Sequence, residues 1–213
     1  MIIVHHLGVS QSERVVWLCE ELDIPYTLQH YDRDPITRLA PAAYRKLHPM
    51  GIAPVITDGD LVLAESGAIL EYLNVKYGGG RLGVGPDRHN FADYLFWFHF
   101  ANGTMMPSEM SSVILRLLGL KGDNPMIAML NERSIRGYAM VEERLGVVPY
   151  FAGNELTAAD MMMLFPLSTM RAFAPRDLAP FPHIRAYLRR IGERPAYRRA
   201  MAKAAPGLTP LLT

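Results

Sequence analysis

Two adjacent polar residues, Glu65 and Ser66, stand where a predicted strand gives way to a predicted helix in the stretch "LAESGAI". The first turn of a helix has unpaired amide groups and a partial positive charge, so it attracts anions. A carboxylate can therefore bind to the amide and hydroxyl of Ser66, while Glu65 offers a negative partner for an amine. Carboxylate and amine together make an amino-acid head group. The simpler interpretation is that Ser66 only caps the helix.

A proline stands just before a second apolar run, in the stretch "GIAPVI". Because proline cannot donate to a strand ladder, Pro54 at this place is either a rigid edge residue or the second residue of a cis Ala53-Pro54 bond. A cis bond would turn the backbone N–H and C=O of Ala53 outward, where they could pair with an extended, peptide-like ligand.

The stretch "VHHLGVSQSER" is a third polar junction, between the short β-branched run 2–4 and a helical pattern. Ser10 and Ser12 offer hydroxyl donors at the start of that helix, and Ser12 could also be its N-cap. His5 and His6 are a poor metal site, because the sequence next to them supplies no acidic or cysteine ligand. The loop is therefore suited to donating hydrogen bonds to an anion.

The elements that must position these residues alternate through the first 80 residues. Residues 2–4, 26–30 and two short runs joined by the turn at 58–60 predict strands, whereas 14–22, 35–47 and 66–77 predict helices. The order is β-α-β-α-β-β-α. A glycine-rich stretch ends this pattern.

The second half predicts helices only, over residues 90–120, 125–145, 157–173 and 182–191. In "LTAADMMMLFPL", Thr157 and Asp160 have the spacing of a capping box, and the run after them is apolar on every side. We therefore expect a buried helix, kinked by Pro166, at the centre of an all-α domain.

Composition narrows the function classes. The 22 basic and 21 acidic residues leave a formal net charge of +1, which favours neither nucleic acid nor an anionic membrane. A single cysteine, Cys19, excludes an internal disulfide and is typical of a reducing compartment. The sequence has no apolar stretch of membrane-spanning length and no leader-like start, so we expect a cytoplasmic protein with small-molecule or protein partners.

These motifs in combination resemble the glutathione transferases over nearly the whole chain, most closely the bacterial and fungal members that use serine. The resemblance implies an α/β plus all-α architecture: a thioredoxin-like glutathione-binding domain (βαβαββα) at 1–79, a linker at 80–88 and a helical bundle domain at 89–213. It also implies a homodimer and glutathione as co-substrate, without a metal. Conjugation of glutathione to a small apolar electrophile is the implied reaction, with peroxide reduction as a side activity.

By this resemblance, Pro54 is the cis proline, and the backbone of Ala53 binds the cysteinyl unit of glutathione. Glu65 and Ser66 bind the γ-glutamyl end. The family often has asparagine, and lysine or glutamine, where this chain has His48 and Ile52. Isoleucine makes no ionic contact, so the resemblance leaves the glycyl carboxylate to His48 or to the cations at 45 and 46.

The resemblance implies that a hydrogen-bond donor stabilises the glutathione thiolate. Ser10 is the first candidate because it lies in the loop before the first helix, Ser12 is the second, and His5 or His6 is the third. Cys19 falls among apolar residues of the first helix and is expected in the core. The pocket for the electrophile is expected on one helix face, formed by Tyr94, Phe98, Asn102 and Met106.

Two rival functions stay open at this stage. One is a glutathione-dependent isomerase or dehalogenase. The other is a binding or scaffold protein that keeps the glutathione pocket without turnover.

Overall fold

The structure is a computed structural model that describes residues 1–120 and 124–213. Its contacts divide the chain into two compact units, residues 1–83 with 192–210, and residues 84–191 with 211–213. Within the described residues, no helix has the length and apolar character needed to cross a membrane.

The first unit is built on one mixed sheet. Its strands are β1 (Ile2–Leu7), β2 (Tyr26–Tyr31), β3 (Val55–Asp58) and β4 (Leu61–Ala64), in the order β2-β1-β3-β4. Strand β2 is parallel to β1, whereas β3 is antiparallel to both β1 and β4. The helices are α1 (Glu13–Leu22), α2 (Ala42–Arg45) and α3 (Ser66–Lys76). The predicted β-α-β-α-β-β-α order is therefore confirmed.

Helix α2 is much shorter than the 35–47 predicted. The carboxylate of Asp34 accepts the amides of Ile36 (3.0 Å) and Thr37 (2.7 Å), which closes a turn instead of starting a helix. Arg38 then takes a left-handed backbone, with φ of 61°, and Pro41 fixes the start of the short helix that follows.

The second unit is helical, as predicted. It contains α4 (Phe91–Phe100), a π-helical turn (Ala101–Met105), α5 (Met106–Leu117), α6 (Pro125–Val147), α7 (Ala158–Leu167), a 3-10 turn (Thr169–Ala172) and most of α8 (Pro182–Glu193). Every residue of α7 is buried, which confirms the prediction of a central helix, and Pro166 lies inside it. The backbone N–H of Thr157 donates to Asp160 over 2.9 Å, so the predicted capping box is present.

The last helix, α9 (Pro195–Ala204), packs on α1 in the first unit. Trp17 and Tyr197 meet edge to face with their ring centroids 5.4 Å apart. Glu20 accepts from Nε of Arg199 over 3.0 Å and also pairs with Lys203. The sequence predicts a helical domain over 89–213 and no helix at 195–204, whereas in the structure residues 192–210 belong to the first unit.

Candidate active site

The loop between β1 and α1 carries the residues expected to act on a thiol. Gly8 pairs its N–H with the carbonyl of Tyr31 over 3.0 Å, and Val9 then turns the chain with φ of 51°. Ser12 stands at the N-cap position of α1 but makes no side-chain cap bond. Ser12 is therefore the N-cap residue, as one alternative has it, but its hydroxyl is used elsewhere and does not cap the helix.

Ser10, Ser12 and His6 form one buried hydrogen-bonded chain. Oγ of Ser12 lies 2.8 Å from Nδ1 of His6 and 2.7 Å from Oγ of Ser10. Ser10 also donates to the carbonyl of Leu7 over 2.7 Å. The exposed fractions are 5% for Ser10, 0% for Ser12 and 1% for His6, so Ser10 lies at the more open end of the chain.

His5 lies outside this chain, because successive side chains of a strand point to opposite faces. Its Nδ1 lies 3.1 Å from the hydroxyl of Tyr31, and its Nε2 lies 3.3 Å from Oγ1 of Thr57. Burial lowers the pKa of this imidazole. The structure thus brings three of the four candidate donors together and places His5 in a separate contact.

The Ala53-Pro54 bond is cis, which confirms the second of the two alternatives for Pro54. Pro54 is buried and Ala53 is half-buried. Ile52 is exposed, and Nδ1 of His48 accepts the backbone N–H of Met50 over 3.3 Å in the preceding turn. His48 therefore has a local structural role in addition to any contact with a ligand.

Glu65 rather than Ser66 occupies the N-cap position of α3, which corrects the sequence analysis by one residue. Glu65 has φ of 72°, and its carbonyl accepts the N–H of Ile69 over 3.0 Å, the first bond of the helix. Ser66 is consequently the first helical residue, and its hydroxyl does not cap the helix. Glu65 is exposed and Ser66 is buried.

The guanidinium of Arg14 lies beside Ser66, and the sequence analysis does not include this residue in the site. Nη1 of Arg14 donates to Oγ of Ser66 over 3.1 Å and to Oε1 of Gln11 over 2.5 Å. Burial lowers the pKa of Arg14 to about 9, so this group still carries its charge at neutral pH. A buried positive charge thus reinforces the positive end of α3.

The single cysteine has no accessible chemistry. Cys19 is 1% exposed, and burial raises the pKa of its thiol to about 12, so it stays protonated. The prediction that Cys19 belongs to the core is confirmed.

The residues expected to form the electrophile pocket lie on α4, the π-helical turn and α5. Tyr94 and Phe98 are buried against each other, with ring centroids 5.7 Å apart. Met106 is buried in an apolar cluster with Val113 and Phe165. Asn102 is half-buried. Three of these four side chains therefore pack the interior of the helical unit.

A cavity of about 310 Å³ opens beside the loop of Ser10, in the first unit. Its walls are Gly8 and Val9, the end of β2, and residues 204–206 and 208 at the end of α9 and beyond it. Arg33 and Arg38 bring positive charge to it, and Asp32 brings negative charge. Sequence reasoning missed both arginines, because a cation in a polar loop is ordinarily a solvated surface group.

Comparison with known proteins agrees with this geometry. Residues 10–76 match the family model described as glutathione S-transferase, N-terminal domain, and residues 99–195 match glutathione S-transferase, C-terminal domain. Glutathione S-transferase 3 of Schizosaccharomyces pombe is 34% identical over 95% of this chain and 88% of its own length. Glutathione S-transferase 1 of Saccharomyces cerevisiae is 27% identical over 96% of this chain and 95% of its own. A glutathione S-transferase structure from Actinobacillus pleuropneumoniae, 33% identical, superposes with a TM-score of 0.86 and covers 96% of this chain and 93% of that chain.

Proposed function

Since the chain belongs to the glutathione S-transferase family, we propose that it joins the sulfur of glutathione to small apolar electrophiles and reduces organic peroxides as a side activity. The observation that carries the proposal is the buried hydrogen-bonded series of His6, Ser12 and Ser10, in which Ser10 is the most exposed member at 5%.

The γ-glutamyl end of glutathione binds at the start of α3 in this proposal. Its α-carboxylate meets the amide and hydroxyl of Ser66, where Arg14 and the positive end of the helix add attraction. Its amine faces the exposed carboxylate of Glu65. One contact for a carboxylate and one for an amine match an amino-acid head group. Together they hold that group at the start of α3.

The rest of the tripeptide extends toward the cis proline. The cysteinyl unit pairs with the backbone of Ala53, next to Pro54, as an added strand would. The glycyl carboxylate has His48, Arg45 and Lys46 as candidate partners from the sequence. Arg38 adds a further guanidinium, because it lines the cavity beside Val9.

Ser10 stabilises the thiolate by donating a hydrogen bond to it. Because Ser12 gives its proton to His6, the Ser10 proton is shared between the carbonyl of Leu7 and Oγ of Ser12. A thiolate is a charged acceptor, so it competes well against both of these neutral acceptors. Lowering the thiol pKa from about 8.5 to about 6.5 requires ~2.7 kcal/mol of preferential stabilisation of the thiolate. A hydrogen bond to a charged group is worth about 1.5–3 kcal/mol, so one hydroxyl can supply most of it.

The thiolate then attacks the electrophile. With an aryl halide, a carbon–sulfur bond forms as the carbon–halogen bond breaks, and halide leaves. Asn102, the half-buried member of the predicted pocket residues, is the candidate contact for the second substrate.

The test measures glutathione binding and turnover of a generic aryl halide in wild type and in Ser10→Ala. We expect wild type to bind glutathione and turn over the halide, and Ser10→Ala to lose about 10- to 100-fold in kcat with little change in glutathione affinity. Ser111→Ala, an exposed hydroxyl on α5, is the matched control. Binding without turnover in wild type would favour the scaffold alternative, and absence of binding would refute both.

We further propose a cytoplasmic homodimer. The single cysteine supports a reducing compartment. The dimer is supported by exposed apolar residues on β4 and α3, where Val62 is 46% and Val75 is 71% exposed. Sedimentation of wild type and of Val75→Glu tests the association. A monomeric wild type at micromolar concentration would refute the dimer.

A further inference from the structure

One guanidinium binds the backbone of two separate loops in the first unit. Nε of Arg33 donates to the carbonyl of Gly8 over 2.8 Å, and Nη2 donates to the carbonyl of Val9 over 3.1 Å. Nη1 donates to the carbonyl of Arg38 over 2.8 Å. Each nitrogen of the planar group therefore holds one carbonyl, a geometry that the single ammonium of lysine cannot reproduce.

Two of these three carbonyls belong to residues in an unfavourable backbone conformation. Val9 has φ of 51° and Arg38 has φ of 61°. Side chains other than glycine rarely adopt a left-handed backbone, and a β-branched residue such as valine does so least readily. The local sequence thus opposes the turn at Val9, and contacts from elsewhere must hold it.

We propose that Arg33 is a positioning residue for Ser10: by binding the carbonyls of Gly8 and Val9, it maintains the left-handed turn that places the Ser10 hydroxyl. Ser10 directly follows Val9, so the direction in which Ser10 leaves the turn is set by the backbone angles of Val9. The inference rests on the proposed role of Ser10 in stabilising the thiolate.

Arg33 is itself held in place. Asp34 closes the next turn, where its N–H donates to the carbonyl of Leu39 over 3.0 Å and its own carbonyl accepts from Arg38 over 2.9 Å. Gly8 is anchored on the opposite side by its bond to Tyr31. The turn at Val9 is therefore fixed between the end of β2 and the guanidinium of Arg33.

The test compares Arg33→Met, Arg33→Lys and the double variant Arg33→Met with Val9→Gly. The readouts are kcat and KM for glutathione, and the pKa of the enzyme-bound glutathione thiol followed by ultraviolet absorbance of the thiolate. Arg81→Met is the matched control, because Arg81 also binds two backbone carbonyls of this unit, those of Gly78 (3.1 Å) and Leu22 (2.7 Å), away from the Ser10 loop.

We expect Arg33→Met to lower kcat about 10- to 100-fold, since small displacements of a reacting group have effects of this size. The pKa of the bound thiol should rise by about one, from about 6.5 to about 7.5, which leaves about threefold less thiolate at pH 7. Because glycine adopts positive φ readily, Val9→Gly should restore most of both losses without restoring the charge. Arg33→Lys should fall between wild type and Arg33→Met, and Arg81→Met should leave the thiol pKa unchanged.

An unchanged thiol pKa in Arg33→Met, or no recovery on adding Val9→Gly, would overturn the inference. If Arg33→Met does not fold, Arg33→Lys and the double variant give the same comparison. A failure of the proposed function has a different signature, because Ser10→Ala would then leave the thiol pKa of the bound glutathione as it is in wild type.

Discussion

The imidazole of His6 accepts the hydroxyl proton of Ser12 across 2.8 Å, and the opposite ring nitrogen determines this direction. Nε2 of His6 lies 2.7 Å from the carbonyl of Ala204, which can only accept, so Nε2 carries the ring proton. Burial lowers the pKa of His6 to about 4, so the ring is neutral at neutral pH and Nδ1 is free to accept. The end of α9 and the Ser10 loop are thereby connected through one side chain.

The pH dependence of stability should show this buried imidazole. Its pKa is about 4 in the folded chain and about 6.5 when unfolded, so its contribution is complete above pH 6.5 and is lost as pH falls toward 4. The full loss of unfolding free energy from this group is about 3 kcal/mol. Urea unfolding at pH 7 and pH 5 of wild type and His6→Asn should show a steeper acid loss in wild type.

His5→Asn is the control for that measurement, because His5 is the neighbouring imidazole on the same strand but contacts Tyr31 and Thr57. Burial lowers the pKa of His5 as well, but His5 is the less buried imidazole, so His5→Asn should remove a smaller part of the acid dependence than His6→Asn. Equal slopes for wild type and His6→Asn would contradict the assignment of a neutral, buried His6.

Glutathione affinity should depend on the pair Arg14 and Ser66. Ser66→Ala removes the hydroxyl that is proposed to meet the α-carboxylate, so we expect about tenfold weaker binding, equivalent to ~1.4 kcal/mol. Arg14→Lys keeps the charge but not the planar group whose Nη1 donates to both Ser66 and Gln11, so it should also bind glutathione more weakly than wild type. Isothermal titration calorimetry measures both.

Ser108→Ala is the matched control for Ser66→Ala. Ser108 is also a buried helical serine, but it belongs to the helical unit and donates to the carbonyl of Thr104 over 2.8 Å. Its loss should leave glutathione affinity unchanged. Equal affinity of wild type and Ser66→Ala would place the γ-glutamyl end elsewhere.

The sequence predicts the elements of the sheet unit well, because alternation, helical periodicity and the turn at Gly59 are local signals. It leaves Ser10, Ser12 and His6 as alternatives, because their spacing does not show that they bond to one another. The one-residue error at Ser66 has the same origin: the positive φ of Glu65 is a property of the folded chain. Local pattern thus locates the site, whereas the division of roles within it depends on tertiary contacts.

The last helix shows the other limit of sequence reasoning. Its stretch "PAYRRAMAKA" is rich in cations, and the carboxylate that pairs with them, Glu20, lies about 180 residues earlier in the chain. No local pattern connects the two. The same holds for Arg33, whose partners Gly8 and Val9 lie on a different loop.

Packing of α9 on α1 should be a large part of the stability of the first unit. Tyr197 is 3% exposed and meets Trp17 edge to face, so Tyr197→Ala should cost about 3–5 kcal/mol of unfolding free energy. Trp17 fluorescence should change in the folded state. Tyr77→Ala, an exposed tyrosine of the same unit, is the control and should cost much less. A change in Tyr197→Ala as small as the control's would contradict this packing.

The capping box of α7 should be the most sensitive polar feature of the helical unit. The buried carboxylate of Asp160 accepts the backbone N–H groups of Phe151 (3.0 Å) and Thr157 (2.9 Å), so Asp160→Ala leaves two buried donors unpaired. At about 1–3 kcal/mol for each unsatisfied group, we expect a loss of ~2–6 kcal/mol. Asn124→Ala, at the exposed N-cap of α6, should cost only about 0.5–1 kcal/mol, because water can replace the lost bond. Urea denaturation of both variants measures the difference, and equal losses would show that burial of the Asp160 carboxylate does not set the cost.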